Sequence, residues 1–270
     1  MQEPALTDTE FQQFRQLIFD IAGISMNGAK KPLVSGRLVK RLRHYGLQSY
    51  GDYYRILQQE PSERQVAVDL LTTNETYFFR EPKHFDFLRG NILPQRSANR
   101  PFRIWSAACS SGEEVYSLAM VLSDVLEDRP WEVVGSDISS RMLATARQGK
   151  YPLSRATGVS QHYLHRYCLK GIGTQEGSLL IEPKLQQRTQ FLPINLNETL
   201  PEMGKFEVIF LRNVMIYFDM ETKRRVVQRL LPLLWQGGYL IVSHAETLNG
   251  ITDQLNLVSP SIYRKPYAVN

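Results

Sequence analysis

Cysteine is scarce in this chain, because only Cys109 and Cys168 occur among its 270 residues. Two cysteines cannot build the disulfide framework of a small secreted domain, so a reducing, cytoplasmic location is predicted. The cysteines and the five scattered histidines show no recognisable ligand spacing, and the sequence therefore predicts no metal site. No apolar run reaches the roughly 18 residues that a transmembrane helix needs, so we expect no insertion into a membrane.

Acidic residues are absent between Asp20 and Asp52. Six cations crowd into the same interval, namely Lys30, Lys31, Arg37, Lys40, Arg41 and Arg43. The whole chain carries a net charge of +5, which permits an anionic partner, nucleic acid or an acidic protein surface, without choosing between them. The local pattern predicts a basic helix face, which either binds such a partner or is simply solvated.

Residues 1–85 have the pattern of a helical domain. Thr7 and Glu10 form a capping-box pattern ahead of apolar residues at helical spacing. Pro32 can open a second helix that Gly46 would end, with its cations pointing outward. A third helix is predicted near residues 52–59 and a fourth opening at Ser62. No strand pattern occurs in this part.

Residues 86–270 alternate between strands and helices. Strands are predicted at 102–106 and 131–136, each followed by a helix, the first opened by Gly112 and the second covering 139–148. Two consecutive βα units imply a parallel sheet with right-handed crossovers. Residues 155–190 contain several glycines among short apolar stretches, which predicts an inserted antiparallel subdomain. Alternation then resumes with strands at 191–194, 207–211, 239–243 and 262–268 and a helix through residues 226–234.

The first βα turn, residues 106–114, is where a ligand of such a sheet is expected. It lacks GxGxxG and places Glu113 and Glu114 at the helix N-terminus, where they would repel a diphosphate and attract a cation. S-adenosylmethionine is such a cation, and Asp137 at the end of the second strand can accept hydrogen bonds from its ribose. Two alternatives stay open: that the glutamates only favour the start of a helix by their charge, and that Asp137 only caps the next helix.

The chemistry of the methyl acceptor is indicated by residues 211–218, after the predicted fourth strand. This segment has no Pro-Pro turn of the kind that amine-directed methyltransferases commonly carry there. A carboxylate acceptor needs less help, since a glutamate with a pKa of about 4.3 is already ionised near neutral pH. Arg80, Arg212 and Tyr217 are candidates by type and place to hold one carboxylate oxygen while the other attacks.

Three segments in order, residues 72–82 (TTNETYFFREP), 105–114 (WSAACSSGEE) and 212–219 (RNVMIYFD), together resemble one family. It is the chemotaxis-receptor methyltransferases of the CheR type, which are protein-glutamate O-methyltransferases. The resemblance covers nearly the whole chain. It implies a Rossmann-like S-adenosylmethionine-dependent methyltransferase sheet, a helical N-terminal domain and a small antiparallel insertion. It also implies a role in chemotaxis adaptation, in which methylation removes negative charge from a receptor.

The resemblance also implies which residues form the site. Arg80 and Tyr217 would sit beside the transferred methyl group, and S-adenosylhomocysteine would be the product. The implied contacts of S-adenosylmethionine are Asn74, Thr76, Arg80, Glu113 or Glu114, Asp137, Asn195, Leu196, Arg212 and Asn213.

Two receptor contacts follow from the same resemblance. The basic helix, with Arg37, Lys40, Arg41 and Arg43, would lie on the acidic methylation region of the receptor helices. A loop with Lys170, Gly171, Gly173 and Gly177 resembles that of members that bind a receptor C-terminal pentapeptide as an added strand. This chain departs from them at 179–181, where it has Leu-Leu-Ile and such members can have an arginine. A nucleic-acid methyltransferase and a non-catalytic adaptor that senses the methyl donor or its product are the alternatives.

Overall fold

The computed structural model describes residues 4–97 and 100–267. Within these ranges the α-helices are α1 (Asp8–Ala22), α2 (Lys31–Tyr45), α3 (Tyr50–Gln59), α4 (Pro61–Leu71), α5 (Lys83–Phe87), α6 (Glu113–Leu126), α7 (Ser140–Gln148), α8 (Gln161–Tyr167), α9 (Pro183–Gln186) and α10 (Met220–Leu230). The strands are β1 (Phe102–Ser106), β2 (Trp131–Asp137), β3 (Lys150–Pro152), β4 (Cys168–Lys170), β5 (Ser178–Ile181), β6 (Thr189–Pro193), β7 (Phe206–Leu211), β8 (Leu234–Val242), β9 (Asn256–Ser259) and β10 (Ile262–Arg264). None of the helices in the described ranges combines the length and the apolar character that crossing a bilayer requires.

Helices α1 to α4 form a module with its own core, which includes Phe14 and Leu38. The capping box at the start of α1 is confirmed: the Thr7 hydroxyl accepts from the Glu10 amide at 3.2 Å, and the Thr7 amide donates to the Glu10 carboxylate at 2.9 Å. Helix α2 ends at Gly46, whose φ of 65° suits a residue without a side chain. The predicted opening of the fourth helix at Ser62 is one residue late, because Pro61 takes the first helical position.

The main sheet has the strand order β6-β2-β1-β7-β8-β10-β9. The pairs from β6 to β8 are parallel, and β10 runs antiparallel to β8 and to β9. The predicted parallel sheet is therefore confirmed. Strand order reverses at β1, because the chain first builds outward through β2 and β6 and then returns to add β7 on the other side.

Both faces of this sheet are covered. Every residue of β7 is buried, as expected for a central parallel strand with helices on either side. Gly135 in β2 lets α6 approach closely, since a Cβ atom there would lie 2.6 Å from Val115 Cγ2. Separate apolar cores fill the two sides of the sheet.

Several predicted boundaries are wrong. The inserted sheet, with order β3-β5-β4, begins at Lys150 rather than at 155, because β3 follows directly on α7. The predicted helix through 226–234 stops at Leu230, since Pro232 cannot continue it, and Leu234 already belongs to β8. Strand β9 was not predicted because its side chains are mostly exposed and show no alternation. The predicted last strand ends at Arg264, and Ala268 lies outside the described residues.

The helical module is attached directly to the carboxyl edge of the sheet. Asp69 accepts hydrogen bonds from the amide and the hydroxyl of Ser140 at 3.0 and 2.7 Å. The amide of Ser25 donates to the carbonyl of Tyr217 at 2.8 Å, beside a β-bridge between Ile24 and Phe218. These contacts make the end of α1 one wall of the cleft described below.

Candidate active site

A cleft lies over the carboxyl ends of β1, β2, β6 and β7, where the strand order reverses. The space between its walls, with the open mouth included, is about 920 Å³. The far wall is made by Ala22, the last residue of α1, and by Ile24 after it, and residues 72–77 together with Arg80 form the rim. Three separate parts of the chain therefore enclose one site.

The turn after β1 carries unusual backbone conformations. Ser110 and Gly112 have φ values of 49° and 94°. A Cβ atom on Gly112 would come within 2.8 Å of Ala146 Cβ, so only glycine fits between this turn and α7. The turn brings Glu114 to the cleft, where its carboxylate accepts from the Ser106 hydroxyl at 2.7 Å.

Glu113 is the one predicted cofactor-binding residue that the structure does not bring to the cleft. Its side chain is fully buried on the other side of the turn, where it accepts from Ser111 at 2.7 Å and pairs with Arg155 at 3.1 Å. Burial raises the pKa of Glu113. Adjacent helical residues point about 100° apart, so one glutamate of the pair faces the ligand and the other faces the protein.

Arg212, at the end of β7, connects both sides of the cleft. It donates to Glu114 at 2.9 Å, lies 3.4 Å from Glu81, and also donates to the carbonyl of Arg80. Its side chain is almost fully buried, so it needs these partners. This network fixes Glu114 and the Arg80 segment relative to the sheet.

Asp137 ends β2 and is 8% exposed. Its two oxygens accept from the amides of Ser110 and Ser139, each at 2.8 Å. Burial raises the pKa of this carboxyl, while hydrogen bonds from the two amides oppose the change. A carboxylate has about four acceptor positions, so Asp137 keeps capacity for hydroxyl groups of a ligand in the cleft it lines. The alternative that Asp137 only caps α7 is wrong, because the cap is Ser139, whose hydroxyl accepts from the Met142 amide.

The remaining predicted positions line the same cleft. Asn195 uses its side-chain amide to hold the carbonyl of Ile21 at 2.7 Å, so it fastens α1 to the sheet. Ile138, Ile194 and Leu196 provide aliphatic surface close to Asp137, suited to a flat aromatic base. Cleft-lining residues that the resemblance alone predicted are Asn74, Thr76, Asn195, Leu196 and Asn213.

Arg80 and Tyr217 both reach the cleft. Arg80 donates to the Glu75 carbonyl at 2.9 Å, and its guanidinium lies 5.6 Å from the centre of the Tyr77 ring. Tyr217 follows the end of β7 on a short 3₁₀ turn and is half-buried. A cation and a phenol at the mouth can orient an anionic group that enters from solvent.

Sequence reasoning missed two features. Glu246 accepts hydrogen bonds from the amides of Asn213 and Ser243 at 3.0 and 2.9 Å, and so holds the loop after β7 in place. Its position soon after the end of β8 was the available signal, because polar residues after parallel strands gather at one edge. Glu81, His84 and His244 also converge, although His244 is far from the others in sequence.

The prediction that all cations of α2 point outward is wrong, because two of them bind within the protein. Arg41 forms two hydrogen bonds of 2.7 Å with Glu63, and Arg37 donates to the carbonyls of Leu71 and Thr72 at 2.9 and 3.0 Å. Lys40 and Arg43 are exposed. The cause is helical geometry, since residues 37 and 41 share the side that packs on α4.

The predicted peptide-binding loop follows β4, which is an edge of the small sheet. A Cβ atom on Gly171 would lie 1.9 Å from the Gln175 carbonyl oxygen, so this glycine is required by the loop itself. Gly173 and Gly177 have φ values of 58° and 78° and open space around them. Lys170 is exposed at the end of the edge strand.

The cleft fits a positively charged adenosine derivative. Glu114, which is paired with Arg212, and Asp137 both line it with carboxylate oxygens, and aliphatic side chains lie beside them. The helix start that would bind a diphosphate is occupied by Glu113 and Glu114 instead.

Both modules of the chain match models of one known protein family. Residues 74–263 match the family model "CheR methyltransferase, SAM binding domain", and residues 9–72 match "CheR methyltransferase, all-alpha domain". The chain is similar to the chemotaxis protein methyltransferase of Escherichia coli K12, with 39% identity over 96% of this chain and 91% of the relative. It is also similar to chemotaxis protein methyltransferase 2 of Pseudomonas aeruginosa, with 40% identity over 97% of this chain and 95% of the relative. A third relative, from Borreliella burgdorferi, is 34% identical over 96% of this chain and 95% of its own length.

Proposed function

Because this chain belongs to the CheR methyltransferase family, we propose that it methylates glutamate carboxylates on the cytoplasmic helices of chemoreceptors. S-adenosylmethionine is its methyl donor, and its role is in chemotaxis adaptation. The observation that carries the proposal is the cleft in which Glu114 and Asp137 meet Arg80 and Tyr217.

Each side of the cleft has a separate task in this proposal. Asp137 holds the ribose hydroxyls of the donor, and Glu114 with Arg212 and Asn213 holds its charged amino-acid end. Bound S-adenosylmethionine supplies an electrophilic methyl group, and transfer leaves a neutral thioether and an ester. A glutamate with a pKa of about 4.3 needs no general base near neutral pH, so alignment and removal of water are the main requirements.

Arg80 and Tyr217 align the receptor carboxylate at the mouth of the cleft. Each can donate a hydrogen bond to one oxygen, which leaves the other oxygen free to attack the methyl carbon in line. Exchange of Tyr217 for phenylalanine is then expected to lower turnover and to spare donor affinity. In this proposal Lys40 and Arg43 contact acidic residues of the receptor helix, which their exposure on α2 supports.

The free edge of β4 supports a second receptor contact. A C-terminal receptor pentapeptide could add there as a strand, held by main-chain hydrogen bonds to residues 168–170. Leu169 is 45% exposed on this edge and offers an apolar neighbour for an aromatic side chain. Calorimetry with an aromatic-containing pentapeptide should give heat of binding, and no heat well above micromolar concentration would remove this contact from the proposal.

The chemical product tests the proposal itself. Purified chain, donor labelled with tritium in the methyl group and a soluble receptor fragment should give label on the fragment that mild alkali releases as methanol. A matched fragment with alanine at the acceptor glutamates should take up no such label. Label that survives alkali, or label that appears equally on the matched fragment, would contradict glutamate esterification.

A further inference from the structure

We propose that Glu81, His84 and His244 form a binding site for one divalent transition-metal ion, with Zn²⁺ as the favoured ion. Glu81 Oε2 lies 3.4 Å from His84 Nδ1 and 4.0 Å from His244 Nε2. The three ligand atoms all lie within 4.8 Å of one another. Two histidines and one carboxylate are a donor set that suits Zn²⁺ and its first-row neighbours.

A single serine contacts both histidines through the ring nitrogens farther from Glu81. The Ser261 hydroxyl donates its one hydrogen to the Pro260 carbonyl at 2.6 Å. With the hydrogen in that direction, the Ser261 oxygen accepts from His84 Nε2 at 2.7 Å and from His244 Nδ1 at 3.3 Å. In this arrangement both rings carry their hydrogen on the serine side, which leaves the nitrogen of each ring that is nearer to Glu81 without a hydrogen and able to bind a metal ion.

The lone pair of His84 has no partner. His84 is 1% exposed, and its Nδ1 atom lies 3.4 Å from Glu81 Oε2 without a hydrogen-bond partner among the described residues. A buried ring nitrogen without a partner is unfavourable, and the nearby Glu81 oxygen is a second group that a cation would stabilise. A metal ion between them satisfies both, and the outer hydrogen bonds to Ser261 orient the ligands as in known metal sites.

The distances require only a small adjustment. Tetrahedral zinc with bonds of about 2.0–2.2 Å places its ligand atoms about 3.3–3.5 Å apart. The Glu81 and His84 atoms already have this spacing, and the His244 side chain is 44% exposed, so its ring can move inward and the ion has a path from solvent. Arg212, 3.4 Å from the same Glu81 oxygen, and the His244 amide, which donates to that oxygen at 3.1 Å, both oppose a cation there. We therefore expect moderate rather than extreme affinity.

A metal ion bound at this site would change the charge of the neighbouring cleft and the hydrogen-bond partners of Arg212. An ion that takes the Glu81 lone pair leaves Arg212 with Glu114 and the Arg80 carbonyl, and it adds positive charge next to a site for a sulfonium. Zn²⁺ is therefore expected to weaken binding of the methyl donor. This consequence rests on the proposed function, whereas binding of the ion does not.

Calorimetry with ZnCl₂ and the full chain tests the site. One ion per chain is expected, with affinity reduced at least tenfold in His244→Ala and about 10- to 100-fold in Ser261→Ala. Exchange of the exposed His165 for alanine should leave the affinity unchanged and serves as the matched control. Visible absorption of bound Co²⁺ gives a second reading of the same ligands. Absence of both signals in the native chain, or native affinity in His244→Ala, would overturn the proposal.

A second titration separates the site from its consequence. S-adenosylhomocysteine and S-adenosylmethionine are titrated with and without saturating Zn²⁺, and the sulfonium is expected to lose more affinity than the thioether. Unchanged donor affinity with bound Zn²⁺ would overturn the coupling and leave the metal site standing. Failure of both nucleosides to bind without Zn²⁺ would instead count against the proposed function.

Discussion

Two charged regions of the molecule each divide into side chains that bind within the protein and side chains that do not. One is the acidic corner, defined as Glu113, Glu114 and Asp137. The other is the basic face of α2, defined as Arg37, Lys40, Arg41 and Arg43. In the acidic corner Glu113 pairs with Arg155 inside the protein, while Glu114 and Asp137 line the cleft. On the basic face Arg37 and Arg41 hold α4, while Lys40 and Arg43 are exposed. Charge of one sign in a stretch of sequence therefore does not by itself mark a binding surface, and substitutions should separate the two roles.

The largest expected effect is on stability. The Arg41 and Glu63 side chains are 22% and 5% exposed, so removal of Arg41 leaves a carboxylate in the protein interior with only tyrosine hydroxyls as side-chain partners. Arg41→Ala should lower the free energy of unfolding by about 3 kcal/mol. Denaturant unfolding followed by circular dichroism measures it, with Lys40→Ala, expected within about 0.5 kcal/mol of the native chain, as the control. Equal losses in both variants would contradict the division of the basic face.

The same pair predicts a pH dependence. Burial alone would raise the pKa of Glu63, but hydrogen bonds from Arg41 and Tyr53 lower it below its usual value of 4.5. A carboxyl with a lowered pKa in the folded state stabilises the protein above its unfolded pKa and loses this contribution as the pH falls through the folded value. The unfolding free energy should therefore fall below about pH 4.5, and Arg41→Ala should flatten the fall. An equally steep fall in the variant would assign it to other carboxylates.

The next effect concerns the acidic corner. Asp137→Ala removes a charged acceptor for the ribose and should weaken donor binding by about 1.5–3 kcal/mol, which corresponds to roughly 10- to 150-fold. Glu113→Gln alters a carboxylate that faces the protein and does not line the cleft, so donor affinity should be nearly unchanged. Calorimetric titration of both variants with S-adenosylhomocysteine decides the matter. A larger loss in Glu113→Gln than in Asp137→Ala would reverse the assignment of these carboxylates.

The smallest effect is on receptor recognition. Lys40→Glu should raise the Michaelis constant for the receptor fragment by about two- to fivefold, because exposed charge pairs contribute only about 0.2–1 kcal/mol each. Turnover and thermal stability should not change. Lys184→Glu, at an exposed lysine far from α2 in the chain, is the matched control. An unchanged Michaelis constant for Lys40→Glu would leave the exposed part of the basic face as solvated surface.

Local patterns predicted much of the fold. Thr7 and Glu10 marked the start of α1, Gly46 the end of α2, and the strand at 102–106 matched β1 exactly in its bounds, because caps and buried strands depend on neighbouring residues. The parallel order followed from repeated βα units. The start of the inserted sheet and strand β9 could not be predicted, since short exposed strands are stabilised by partners distant in sequence.

Prediction of the site residues from the sequence has the same limit as prediction of the fold. Asp137 was predictable because it ends a strand at the edge where ligands bind, and Glu114 because of its place in the first helical turn. The inward turn of Glu113 toward Arg155 depends on a contact across 42 positions, and Arg37 binds carbonyls more than 30 residues away. Glu81 and His84 meet His244 only in the folded chain. Pairings of this kind carry no local signal.

The central claim is that the cleft after β1 is built for a positively charged nucleoside. Calorimetric titration of the native chain with S-adenosylmethionine, and in parallel with a nicotinamide dinucleotide of similar size, tests it most directly. The account predicts saturable binding of one sulfonium molecule per chain and no heat from the dinucleotide. Binding of the dinucleotide, or no binding of the sulfonium, would contradict it.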